Sequence, residues 1–218
     1  MIEEEVVFKT SRGLKLSGVF LAVENELQDV VVFAHGTGSS KSSPRNRGIA
    51  DRLLKGGIAS FLFDFTAHGE SDGMPEQSTQ DQQYDDLISA MDFLDLQTLV
   101  QTRYIGAHGS STGGTVAIRA ASEDPRIQAM VLRVPRNIDI AQYAPLVQAP
   151  TLVLQGSEDN VVLPEAIEIY EALQCEKELH LIEGAGHLFD EKPEYLEEMT
   201  RASCEWFQKW FNKLSEAE

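Results

Sequence analysis

The pentapeptide Gly109-Ser110-Ser111-Thr112-Gly113 reads G-x-S-x-G, the spacing that makes a serine usable as a nucleophile. Only Ser111 has glycine at both −2 and +2. A strand that turns sharply into a helix leaves no room for side chains at those two positions. The turn pushes the serine hydroxyl out against the positive end of the helix, where negative charge is favoured. Two further residues suit the same chemistry. Asp159 lies in Gln155-Gly156-Ser157-Glu158-Asp159-Asn160, and His187 in Glu183-Gly184-Ala185-Gly186-His187. In such a trio Ser111 attacks an acyl carbon, His187 takes its proton and hands it to the leaving group, and Asp159 orients the imidazole. Each residue also has an ordinary reading: a small-residue turn, a helix cap before Pro164, a surface histidine. Glu158 stands beside Asp159 as another acid. Three separate loops would have to match by accident for all the ordinary readings to hold together.

An oxyanion formed by attack at Ser111 needs two N–H donors. The residue after the nucleophile, Thr112, supplies one. The loop His35-Gly36-Thr37-Gly38 supplies the other, with Thr37 as the expected donor. His35, His68 and His108 are expected to brace their loops by hydrogen bonding rather than to transfer protons. No His/Cys/Asp/Glu cluster has metal-ligand spacing, so no metal is expected. Arg45 and Arg47 fall in the first loop, Arg133 and Arg136 at a strand end; beside the nucleophile, Arg45, Arg133 and Arg136 could hold a substrate carboxylate. Their ordinary reading is pairing with local Asp or Glu.

The elements that must position these residues alternate. Residues 6–8 and 14–23 read as strands joined by a turn at Ser11-Arg12-Gly13. Strands follow at 30–34, 61–65, 104–108, 129–134, 151–154 and 179–182, several of them continuous apolar runs as expected for strands covered on both faces. Between them the periodicity predicts helices over 48–55, 81–99, 112–122, 164–173 and 193–214. Met199, Ala202, Trp206, Trp210 and Leu214 form the apolar face of the last. This order implies a doubly wound, mostly parallel sheet with an N-terminal antiparallel hairpin, and a ligand site beyond the carboxyl ends of the strands. Only Arg136 to Pro150 separates the strand at 129–134 from the next, too little for a multi-helix cap. The expected organisation is one domain over 1–218 with no cap domain and an open site.

With 218 residues and 42 % apolar content, the chain can bury a full core. Its net charge of −17 argues against nucleic acid and anionic membrane surfaces as partners, since both need basic patches. Cys175 and Cys204 are too few and too far apart for a disulfide framework and read as free thiols. The acidic start Met1-Ile2-Glu3-Glu4-Glu5 has no apolar segment of a secretory signal, and no run approaches a membrane span. A cytoplasmic protein, monomer or homodimer, is expected.

Taken together, His35-Gly36-Thr37-Gly38-Ser39-Ser40 with Ser43-Pro44-Arg45-Asn46, Phe63-Asp64-Phe65-Thr66-Ala67-His68-Gly69, Gly109-Ser110-Ser111-Thr112-Gly113-Gly114, Ala149-Pro150-Thr151 with Asp159, and Gly184-Ala185-Gly186-His187-Leu188-Phe189 resemble the dienelactone hydrolase-like branch of the α/β-hydrolases. The resemblance runs from about residue 30 to the C-terminus. It implies the α/β-hydrolase fold and a cofactor-free serine hydrolase. The enzymes that name the branch use a cysteine where this chain has Ser111, which shifts the expectation toward carboxylic esters, small or short-chain, as substrates. Two alternatives stay open: a peptidase or amidase of the same fold, and a ligand-binding or regulatory protein with a slow or silent triad.

Overall fold

Central strands buried on both faces form an eight-stranded sheet between two helical layers in the computed structural model, which describes residues 1–24 and 26–217. Strand β1 (Ile2–Lys9) pairs antiparallel with β2 (Lys15–Ala22), with Ile2 opposite Ala22 and Lys9 opposite Lys15. Gly13, at φ +84°, closes the turn between them. From β3 (Leu27–Ala34) onward every strand pairs in parallel with its neighbours except where β4 (Ala59–Phe63) meets β2. The sheet order is β1-β2-β4-β3, then β5 (Gln101–Ser110), β6 (Ile127–Arg133), β7 (Thr151–Gly156) and β8 (Lys177–Ile182). The chain therefore winds outward in one direction from β3 to β4 and in the other from β3 to β5. The crevice above the β3 and β5 tips is the switch point where such sheets bind ligands.

Successive side chains of a strand face opposite layers. Val30, Val32 and Ala34 of β3 join the core under α2 (Gln80–Leu96), α3 (Thr112–Glu123) and α4 (Leu163–Ala172). Val31 and Phe33 join the core under α1 (Pro44–Lys55) and α5 (Pro193–Glu216). On α5, Met199, Ala202, Trp206 and Trp210 are buried as their spacing predicts, Leu214 is half-buried, and Phe207 and Phe211 are buried with them. At the sheet margin, Glu3, Glu4 and Glu5 of β1 are exposed.

Element ends differ from the sequence expectation for local reasons. Helix α1 starts at Pro44, four residues early, because proline is preset for the first helical turn. Helix α2 starts after Thr79, whose side chain accepts the Gln82 N–H, and stops at Leu96. Between β6 and β7 stand only two 3-10 turns, Ile140–Gln142 and Ala144–Leu146. Cys175 and Cys204 are free thiols. Among the described residues, no helix is long and apolar enough to cross a membrane.

Candidate active site

The turn from β5 into α3 holds Ser111 at φ +52°, ψ −121°, a conformation that costs a non-glycine residue about 1–3 kcal/mol. Backbone hydrogen bonds keep it there. Ser111 N–H donates to Arg133 O (2.9 Å), Arg136 N–H to Ser111 O (3.2 Å) and Gly114 N–H to Ser111 O (2.9 Å). The flanking glycines are a steric requirement: a Cβ on Gly113 would meet the carbonyl oxygens of Ala34 and His35, and one on Gly109 would meet Gly113 and Gly114. Thr112 opens α3, so the hydroxyl of Ser111 sits at that helix's amino end.

The acid and the histidine come from the next two loops along the sheet. His187 Nδ1 lies 2.6 Å from Asp159 Oδ2. Asp159 is 7 % exposed, and Gln155 Nε2 donates to the same oxygen at 3.1 Å. Its other oxygen accepts the Val162 N–H at 3.3 Å, so Asp159 is at once a turn residue before α4 and the partner of the histidine. Glu158 is exposed and makes neither bond. The two loops are stitched together: Glu158 N–H donates to Ala185 O (2.9 Å), Ser157 N–H to Ile182 O (3.1 Å) and Gly184 N–H to Ser157 Oγ (2.8 Å). Among the described residues the Ser111 hydroxyl makes no hydrogen bond, and neither does Nε2 of His187. Such contacts commonly tighten only when substrate arrives.

Thr37 and Thr112 face each other. Thr37 N–H donates to Thr112 Oγ1 (2.9 Å), and the two hydroxyls are 3.0 Å apart. One expected oxyanion donor is thus already engaged by the side chain of the other.

Two of the remaining histidines brace loops as expected. His35 is 2 % exposed; Phe65 N–H donates to its Nε2 (3.1 Å), so Nδ1 carries the proton and donates to Gly36 O (2.9 Å). Burial, with the nearby His68 ring adding to it, pushes the His35 pKa down to about 4, so the ring stays neutral. His68 Nδ1 lies 3.0 Å from Thr66 O. His108 departs from the expectation. Neither of its ring nitrogens has a partner among the described residues; it stacks on Phe33 with centroids 5.0 Å apart, and burial holds its pKa near 3.

The arginines separate into two groups. Arg136 Nε donates to both oxygens of Glu165 (3.1 and 2.9 Å), the local pairing of its ordinary reading, and Arg47 pairs with Glu3 (2.6 Å). Arg133 and Arg45 have no ion pair among the described residues. Arg133 is 5 % exposed and donates to Ser110 Oγ (2.7 Å) and Asn46 Oδ1 (3.3 Å). Sequence reading missed two supports of the site. Buried Asp64, at the end of an apolar strand run, binds Lys41 N–H (2.6 Å) and Glu70 N–H (3.0 Å). Asp86, its pKa raised by burial, takes the Thr66 N–H (2.7 Å) and hydroxyl (2.9 Å).

The chain has known relatives in both sequence and fold. Residues 25–137 match the family described as serine aminopeptidase, S33. A dienelactone hydrolase from Anabaena variabilis superposes with a TM-score of 0.85 at 32 % identity, over 96 % of this chain and 98 % of that one. The Pyrococcus furiosus esterase Pf2001 does so with a TM-score of 0.84 at 25 % identity, over 96 % and 91 %. A putative phosphoribosyl transferase of Mycobacterium tuberculosis (strain CDC 1551) is 34 % identical over 189 residues, which is 86 % of this chain. The chain spans only 42 % of the length of that relative. A serine-bearing elbow between β5 and α3, an aspartate and histidine joined beyond β7 and β8, and full-length similarity to a solved dienelactone hydrolase converge: the chain belongs to the dienelactone hydrolase-like α/β-hydrolases and matches the family described as serine aminopeptidase, S33.

Proposed function

We propose that the chain is a serine hydrolase that cleaves small carboxylic esters through an acyl intermediate on Ser111. The observation that carries this reading is the 2.6 Å His187–Asp159 contact beyond the same sheet edge as a serine held at φ +52°. In the proposed reaction Ser111 Oγ bonds to the acyl carbon while its proton passes to His187 Nε2. Asp159 stabilises the imidazolium that forms. The developing oxyanion takes the backbone N–H groups of Thr37 and Thr112, for which the substrate oxygen must displace the Thr112 hydroxyl from Thr37. The tetrahedral species collapses, the C–O bond to the alcohol breaks, and His187 returns the proton to the departing oxygen. Water then repeats the sequence on the acyl-serine and frees the acid. The short 3-10 turns between β6 and β7 leave the site without a cap, which favours small or exposed esters.

The test is turnover of p-nitrophenyl acetate and butyrate by the wild type and by Ser111→Ala. A fall of about 10³-fold or more in kcat/KM is expected in the variant. A folded wild type without turnover over a range of acyl chains rejects the ester reading. The description of the matching family favours amide cleavage as a second reading. Matched ester and anilide substrates separate the two, because an amine leaving group depends far more on protonation by His187.

A further inference from the structure

Arg133 ends β6 immediately beside the nucleophile: its carbonyl oxygen accepts the Ser111 N–H at 2.9 Å. Its guanidinium is buried on the α1 side of the sheet, where Ser110 Oγ and Asn46 Oδ1 take only Nη2. Nε of Arg133 is buried with no partner among the described residues, and so is Nε of Arg45. No carboxylate among the described residues pairs with either one. The two cations also repel: burial first, and then the charge of Arg45, lower the Arg133 pKa to about 9.

A third feature converges on the same place. Arg45 and Asn46 are the second and third residues of α1. Ser43, before that helix, makes no side-chain cap, and the first turn carries no acid. The positive helix end is therefore unneutralised. A buried cation is ordinarily paired, and this one stands beside a second cation and a positive helix terminus. Neutral hydroxyl and amide oxygens are its present partners. The environment lacks one thing: negative charge. Guanidinium forks match planar or tetrahedral oxyanions, which accept two parallel N–H bonds. Arg45 is only half-buried, which leaves a way in from solvent.

We infer that Arg45, Arg133 and the amino end of α1 form a binding site for a small oxyanion, of the carboxylate or phosphate class, one residue from the nucleophile. The anion comes either from solution or as the acid group of the substrate itself, and the second source rests on the hydrolase reading proposed above.

Two measurements test the site. The first is thermal unfolding of the wild type, Arg45→Met and Arg133→Met in sodium phosphate or sodium acetate at fixed ionic strength. Saturating anion is expected to raise the wild-type Tm by about 5 °C more than that of either variant. Arg45→Met keeps the test alive if Arg133→Met does not fold. An equal rise in wild type and Arg45→Met, or none in the wild type, overturns the site. The second measurement compares p-nitrophenyl hemisuccinate with p-nitrophenyl butyrate. If the ratio of their kcat/KM values falls about tenfold or more in Arg45→Met, the site takes the substrate's own acid. If the ratio holds while the Tm difference is present, it takes a free anion. Failure of both esters in the wild type rejects the hydrolase reading and leaves the thermal result standing by itself.

Discussion

Lys41 and Arg133 are both 5 % exposed, and both lie beside loops of the site, yet their surroundings are opposite. Lys41 has three carboxylates: Asp64 at 3.4 Å, Glu5 at 3.7 Å and Glu70 in direct contact. Burial alone would lower its pKa, but the Glu70 hydrogen bond and the charges of Asp64, Glu5 and Glu70 hold it above the ordinary lysine value. Arg133 has none, and its pKa is lowered to about 9. The first cation is finished within the chain and locks the loops after β3 and β4 together. The second has no counter-charge among the described residues. A buried charge that the fold completes acts as architecture; one that it leaves incomplete marks a place where something from outside belongs.

The largest effect is expected from breaking the completed charge. Asp64→Asn removes the most buried carboxylate from Lys41 and should cost about 3 kcal/mol, read by urea unfolding at neutral pH. A loss below 1 kcal/mol would erase the distinction between the two cations. Arg133→Met removes a cation that has no counter-charge, so its stability at pH 7 should equal that of wild type or exceed it by about 1–4 kcal/mol. The pH dependence sharpens the contrast. For Arg133 the folded pKa lies below the unfolded one, so its penalty is full below pH 9 and fades as pH rises above that value. Wild type should therefore gain on Arg133→Met between about pH 8 and 10.5. For Lys41 the folded pKa is raised, so its contribution is full below 10.5 and is lost only as pH climbs through the higher folded value. Unfolding titrations at several alkaline pH values should give slopes of opposite sign for the two residues.

The smallest effect concerns a third kind of polar group, one that the chain satisfies only for the time being. Thr37 N–H is held by Thr112 Oγ1, and the proposed reaction requires its release to an incoming carbonyl oxygen. Removing that hydroxyl in Thr112→Ala saves about 1 kcal/mol of competing hydrogen bond and should raise kcat/KM for p-nitrophenyl acetate about fivefold. A fall instead would make the Thr112 hydroxyl an aid to the oxyanion rather than a rival for its donor.

Residue types at strand ends were legible in the sequence because the chemistry constrains type and spacing together. Gly109 and Gly113 mark Ser111 through a clash that any side chain would cause, and His187 and Asp159 end consecutive strand-loop units. Fold class followed from alternation of buried runs. Element ends were not legible to the same degree. Strand β5 runs from Gln101 to Ser110, beyond its apolar stretch, because β3 and β6 offer pairing partners along its length. Pairwise contacts were harder still. Arg136 meets Glu165 across 29 positions, and nothing local distinguishes it from Arg133, which meets no acid. His108 looked like a loop brace because histidine carries two polar nitrogens, but a strand position facing Phe33 gives them nothing to bond.

The acidic β1 margin bears on how these molecules behave when crowded. Strand β1 leaves one row of backbone donors and acceptors free, and a free row is a template for another chain. Glu3, Glu4 and Glu5 stand along it. A second copy docking edge to edge would bring like carboxylates together and would have to strip water from them before any ladder could form. That margin works as a colloidal guard against growth by strand addition.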